Sequence, residues 1–289
     1  MSPIDEVIKN KKTNVNPIWI MRQAGRYLPE FREIRKANPD FIKLCLNEKL
    51  STEITLQPLI RFDLDAAIIF SDILLVPYAL GQDVNFFKDK GPILSEINLM
   101  NFKKNNKIIF SKKLSSIYES IKITRKKLSK EKTLISFVGA PWTLIVYMMN
   151  IKGNKKNILD LEKFKKIKNQ IHDLIEDLIE YLCLHIKNQT EAGANVVQIF
   201  DSWAGLLGDK DLIEFCFNPN FKIAEYCKKN KIPIICFPKG IKEKYKDFNS
   251  LVKPDGINID YDINPSWAKQ NLENVAFQGG MDPKILLGT

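Results

Sequence analysis

The sequence holds only two histidines, His172 and His185, and five cysteines, no two of them spaced as a CxxC pair. Those absences argue against a zinc finger, which needs closely spaced Cys and His ligands. The odd set Cys45, Cys183, Cys216, Cys227 and Cys236 reads as reduced, mostly buried thiols rather than a disulfide framework. No run approaches the roughly eighteen apolar residues of a membrane span. The opening MSPIDEVIKNKKTN has no apolar h-region, so it does not read as a secretory signal. Together these point to a soluble, cytoplasmic chain. There is also no glycine-rich phosphate loop and no aromatic RNA-binding strand.

Arginine is scarce too, although the net charge is +10. It occurs only at positions 22, 26, 32, 35, 61 and 125, and all other cations of the chain apart from histidine are lysines. Many of those lysines sit in pairs such as Lys103-Lys104, Lys126-Lys127 and Lys165-Lys166, as on solvated helix faces. The planar guanidinium fork suits bidentate binding of carboxylate or phosphate better than an ammonium does. A chain that uses lysine for bulk charge and gathers four of six arginines between 22 and 35 is expected to bind an anion there. A basic nucleic-acid-binding protein would need a recognition signature that is missing.

With 289 residues and 45% hydrophobic content, the chain can bury one large core, and residues 1–289 read as a single domain. Seven short apolar runs read as strands: 17–21 (PIWIM), 65–70 (DAAIIF), 134–138 (LISFV), 195–200 (NVVQIF), 232–237 (IPIICF), 256–259 (GINI) and 274–277 (NVAF). Helical stretches separate them, most clearly 161–187, where Ile167, Ile171, Leu174, Leu178, Leu182 and Ile186 recur at helical spacing. The long connection 82–132 contains Gly91-Pro92 and is expected to form a hairpin before its helix. Nearly continuous apolar strands alternating with helices imply a parallel sheet covered on both faces. Each strand is followed by a polar segment, among them Arg22-Gln23-Ala24-Gly25-Arg26, Ser71-Asp72, Asp201-Ser202 and Gln278-Gly279-Gly280. An open doubly wound sheet concentrates its ligand groups at one switch point. A (β/α)8 TIM barrel spreads them over its strand ends and runs to about 250 residues, so the barrel is the expected fold.

The run Pro17-Ile18-Trp19-Ile20-Met21-Arg22-Gln23-Ala24-Gly25-Arg26-Tyr27-Leu28-Pro29-Glu30-Phe31-Arg32 resembles the N-terminal signature of the uroporphyrinogen decarboxylase family. Phe70-Ser71-Asp72-Ile73-Leu74, Gly139-Ala140-Pro141-Trp142-Thr143-Leu144, Phe200-Asp201-Ser202 and Gln278-Gly279-Gly280-Met281-Asp282-Pro283 are similar to the later motifs, in the family's order. The resemblance implies a homodimeric barrel enzyme of haem biosynthesis. It would remove carboxylate from the four acetate side chains of uroporphyrinogen to give coproporphyrinogen, without metal or organic cofactor. It also implies the roles of individual residues. Asp72 would be the carboxylate facing the pyrrole N–H groups. Arg22 and Arg26 would bind substrate carboxylates, with Arg22 also a candidate for delivering or positioning the proton. The backbone of Gln23, Ala24 and Gly25 would line the same loop, and Tyr147 and Ser202 would hydrogen-bond substrate side chains.

Each of these has a plainer competing role. Asp72 and Ser202 at strand–helix junctions could be helix caps, and Tyr147 could simply pack. A zinc- or corrinoid-linked methyltransferase shares the barrel, but Cys183 and His185 are two apart on a helix and do not face each other. In the family, an eighth strand and its helix follow the QGGMDP-like motif and bring a histidine to the site. The sequence ends at Gly288-Thr289, so a barrel lacking that unit is expected, as an incomplete version of the enzyme, one whose gap a partner covers, or an inactive one. Gly280-Met281 stands where the family more often has Asn-Leu.

Overall fold

A computed structural model describes residues 2–11, 16–87, 91–97, 106–153 and 158–288. Its strands are β1 (Ala66–Ile68), β2 (Val84–Phe87), β3 (Gly91–Leu94), β4 (Thr133–Gly139), β5 (Val196–Asp201), β6 (Ile234–Pro238), β7 (Gly256–Ile259) and β8 (Ala276–Gly279). Six of them form one curled sheet in the order β1-β4-β5-β6-β7-β8, and every pairing in it is parallel. β2 and β3 make the expected antiparallel hairpin in the long connection. Its turn, like Lys103-Lys104, falls outside the described residues.

The strands read as continuous apolar runs because both faces are buried. On the inner face Ala66, Ile68, Ile135, Val196 and Ile235 cluster with Phe137 and Phe200. On the outer face Ala67, Leu134, Val138, Val197, Ile199, Ile234, Cys236, Ile257 and Ile259 join the cluster shared with the helices. The helix Leu161–Glu191 starts where Asp160 accepts from the Lys163 N–H (2.9 Å), capping one of the donors left open at a helix start. It buries Ile171, Leu174, Ile175, Leu178, Leu182 and Ile186. The helix Pro3–Asn10 inserts Ile4 and Ile8 into the inner cluster and plugs the N-terminal end of the sheet.

Residues 17–21, expected as the first strand, are not one. They run beside β1, with the Asp65 N–H donating to the Ile18 carbonyl (2.9 Å), but no ladder develops. Pro17 has no N–H to give. The Ile18 N–H goes to the Asp65 carboxylate (2.6 Å) and the Ile20 N–H to Gln23 Oε1 (3.2 Å). Side chains thus take the donors that a ladder needs. At the other edge β8 pairs with β7 alone among the described residues.

Candidate active site

The polar segments at the C-terminal ends of β1, β4 and β5 meet the 16–28 segment at one mouth of the curled sheet. The end of β1 is gripped by the helix Glu48–Arg61: the Phe70 N–H donates to Thr55 Oγ1 (2.8 Å) and Ser51 Oγ donates to the Phe70 carbonyl (2.7 Å). Asp72 follows on this fixed base. Its Oδ1 accepts from the Leu74 N–H (2.8 Å) in a tight turn, whereas the helix Leu75–Ala79 starts at Leu74 with no side-chain cap, so one oxygen is spent and not on a helix cap. Oδ2 accepts nothing among the described residues. Burial pushes the Asp72 carboxyl up to about 6, while the Leu74 bond and the charge of Arg22 pull the other way. Some of the residue still faces solvent, so the group is desolvated without being sealed off.

Arg22 and Arg26 are exposed because Gln23 between them is not. Gln23 is buried, with Nε2 donating to the Ala66 carbonyl (3.0 Å) and Oε1 accepting from Ile20. This side chain nails the turn to β1. Its N–H goes to the Ile20 carbonyl and its carbonyl accepts from Tyr27 Oη, so the Gln23 N–H is spent and its carbonyl keeps one lone pair. The N–H groups of Ala24, Gly25 and Arg26 donate to nothing among the described residues.

The six arginines divide cleanly. Arg61 holds Glu30 through two bonds (2.7 and 2.9 Å). Arg32 donates to the Arg26 and Tyr27 carbonyls, and Arg35 to the Asn38 carbonyl. Arg125 donates to three backbone carbonyls and to Asn195. Only Arg22 and Arg26 make no hydrogen bond or ion pair among the described residues. The anion-binding expectation placed on the 22–35 segment therefore narrows to these two.

Tyr147, on the helix Pro141–Met148 after β4, senses the same charges. Burial raises its phenol first of all, hydrogen bonding to the Trp203 side chain lowers it, the Asp72 charge raises it further, and the Arg22 charge lowers it. Its ring stands edge-on to Trp203, with centroids 5.9 Å apart, and Lys152 Nζ lies 5.3 Å over it. Ser202, next to Trp203, is exposed and caps no helix. The structure thus brings Arg22, Asp72 and Tyr147 within electrostatic reach of one another, with Ser202 on the adjoining strand end. Arg26 lies farther along the same loop.

Asp201, at the end of β5, does not join them. Its carboxyl is buried, and burial raises it to about 6. Oδ1 accepts from Thr143 Oγ1 (2.7 Å) and Oδ2 from Asn220 Nδ2 (3.3 Å). Thr143 Oγ1 in turn accepts from the Trp203 N–H (3.3 Å). The group fastens the Ser202-Trp203 loop to its neighbours. The next turn packs backbone to backbone: a Cβ on Gly205 would lie 2.4 Å from the Gly240 carbonyl oxygen, so no larger residue fits there.

A zinc–thiolate centre does not fit these residues. Cys236 is fully buried on the outer face of β6, and burial drives its thiol well above the usual range, away from the thiolate that binds metal. His185 is buried against Tyr118 Oη (3.0 Å), and burial lowers its imidazole to about 3. His172 pairs with Glu214 on the surface. Among the described residues no three His, Cys, Asp or Glu side chains are grouped to hold a metal ion.

The model of the Uroporphyrinogen decarboxylase (URO-D) family matches residues 1–289. Curated proteins named uroporphyrinogen decarboxylase are similar over nearly the whole chain. One from Orientia tsutsugamushi (strain Ikeda) is 41% identical, covering 99% of this chain and 84% of that protein. One from a Nitratiruptor species is 42% identical, covering 96% and 82%. Among solved structures, a methyltransferase from Methanosarcina mazei superposes with a TM-score of 0.71 at 16% identity, over 96% of this chain and 81% of that one; it shares the barrel-type fold. The chain belongs to the uroporphyrinogen decarboxylase family.

Proposed function

We propose that this chain decarboxylates the acetate side chains of uroporphyrinogen to give coproporphyrinogen, with Asp72 and Arg22 as its catalytic residues. The observation that carries the reading is the whole-chain match to uroporphyrinogen decarboxylases. The chemistry explains why one half-free carboxylate beside two free arginines suffices. Protonation of a pyrrole ring carbon makes the ring an electron sink. The bond to the acetate carboxylate then breaks, its electron pair moves into the ring, and CO2 leaves. A proton on the resulting methylene carbon and loss of the ring proton give the methyl group. Each acetate consumes one proton net.

The positively charged ring is the species to stabilise. A fixed carboxylate does this without solvent reorganisation, and Asp72 Oδ2 is the group left for the pyrrole N–H donors. At neutral pH a carboxyl with a pKa of about 6 is mostly ionised, as this role needs. Arg22 and Arg26, with the open N–H groups of Ala24, Gly25 and Arg26, take substrate carboxylates. Tyr147 and Ser202 orient the remaining side chains. No metal or organic cofactor enters these steps. The reading treats residues 1–289 as one barrel domain acting on a small polycarboxylate. It includes the homodimer that the family resemblance implies and no nucleic-acid or membrane partner; among the described residues no helix is long and apolar enough to cross a membrane.

The test is anaerobic incubation with uroporphyrinogen and chromatography of the oxidised products. Stepwise loss of four carboxylates, abolished in Asp72→Ala, is the expected result; no turnover by the wild-type chain would overturn the reading.

A further inference from the structure

The Gln278-Gly279-Gly280 turn lies beyond the site described above, yet its first side chain reaches across the barrel interior. Gln278 Oε1 accepts from Trp19 Nε1 (3.0 Å), while Gln278 Nε2 donates to both Gln198 Oε1 (3.1 Å) and Asn258 Oδ1 (3.0 Å). One amide thus joins the 16–28 segment to β5, β7 and β8. An indole N–H can only donate, so it dictates the orientation of Gln278, which in turn dictates that of the other two amides. Asn258 finds an acceptor for its Nδ2 in the Ile259 carbonyl (3.1 Å). Gln198, fully buried, does not: its Nε2 has no partner. A buried donor left open is costly, so the alignment toward Trp19 is kept at the expense of Gln198. Gly279 makes room for it. Its φ is +93°, and a Cβ there would lie 2.8 Å from the Ile259 carbonyl oxygen and 3.0 Å from Asn258 Nδ2.

We infer that Gln278 is a positioning residue for the substrate site: through Trp19 it sets the placement of the segment that carries Arg22. Asp65 and Gln23 fasten that segment to β1; Gln278 fastens it to the far side of the sheet, three residues before Arg22. The inference rests on the decarboxylase reading for its kinetic arm only.

The variants are Gln278→Leu, Gln278→Glu, Trp19→Phe and the double Trp19→Phe/Gln278→Leu. Readouts are kcat and KM for uroporphyrinogen, and amide hydrogen exchange over residues 19–28 with 133–139 as internal reference. Gln278→Leu and Trp19→Phe are each expected to raise KM about tenfold with less change in kcat, the signature of lost placement. Exchange should quicken in 19–28 and not in 133–139. The double variant should be no worse than the worse single, because both remove one bond. Gln278→Glu still accepts from Trp19, and Gln198 can turn its amide to donate to it through its open Nε2 while Asn258 keeps its bond to the Ile259 carbonyl, so its KM should lie closer to wild type than that of Gln278→Leu. Additive singles, unchanged exchange in 19–28, or equal loss in the Glu and Leu variants would overturn the inference. Should Gln278→Leu fail to fold, Trp19→Phe against Gln278→Glu decides. If the wild-type chain shows no turnover, the decarboxylase reading falls and the exchange arm alone still decides this one.

Discussion

The ends of β1 and β5 each carry an aspartate that burial raises to about 6, yet the two regions are built for opposite purposes. At β5, Asp201 is enclosed, and both of its oxygens are taken by Thr143 and Asn220. At β1, Asp72 spends one oxygen on the Leu74 N–H and presents the other to a partly open mouth beside Arg22. A raised pKa therefore does not separate a site carboxylate from a structural one; the unspent hydrogen-bonding capacity does.

The largest effect that would break this comparison is at Asp72. Asp72→Asn is expected to lower kcat/KM for uroporphyrinogen by about a thousandfold, the scale of losing one preorganised electrostatic partner, with the fold intact. The stability sign is opposite. A carboxyl whose pKa rises from 3.8 to about 6 on folding favours the folded state fully below the lower value and loses that contribution as pH rises through the upper one. Asp72→Asn should thus be as stable as the wild type or more so at pH 8 in urea unfolding. A variant less stable at pH 8 would mark Asp72 as structural.

Asp201→Ala should show the reverse pattern. It strands the Thr143 hydroxyl donor in the core, while Asn220 Nδ2 keeps its bond to the Cys216 carbonyl; the loss is about 1–3 kcal/mol, read as a lower urea midpoint with an unchanged slope. Turnover of the folded fraction should fall less than tenfold. A larger kinetic loss at unchanged stability would place Asp201 in the chemistry.

The arginines extend the contrast. Arg26→Ala removes a guanidinium that holds nothing among the described residues and should raise KM about tenfold, the loss of one charge-assisted carboxylate contact, while leaving the urea midpoint in place. Arg125→Ala, by comparison, opens four acceptors and should move the midpoint with KM unchanged.

Much of this contrast was legible in the chain and part of it was not. Strands β4 to β7 lie within a residue or two of the runs 134–138, 195–200, 232–237 and 256–259, because burial on both faces leaves a continuous apolar signature. Residues 17–21 carried the same signature and misled, since an apolar run records burial and not where its N–H groups go. Scarcity of arginine drew attention to the 22–35 segment, whose anion binding stands as a proposal, and only the structure distinguishes Arg22 and Arg26 from Arg32 and Arg35. The roles of Asp72, Tyr147 and Ser202 came from the family resemblance and stand as proposals. Gln23 and Gln278 were passed over as side chains. Each works through a partner 43 or 259 positions away, and no local period encodes such a bond. Asp201 showed only as part of a motif, its Thr143 and Asn220 partners being equally remote.

The smallest effect is also the most diagnostic. Because kcat/KM reports ionisations of the free enzyme, and because the proposed role needs Asp72 charged, kcat/KM should fall as pH drops through about 6. Arg22 holds that value down, against a larger upward push from burial. Removing its charge in Arg22→Ala should therefore move the acid limb to higher pH, whatever else it does to KM. Asp201 has no arginine acting on it, so were Asp201 the controlling group, Arg22→Ala would lower the whole profile without displacing the limb. A limb that stays in place would transfer the pH dependence away from Asp72 and remove the electrostatic ground for pairing it with Arg22.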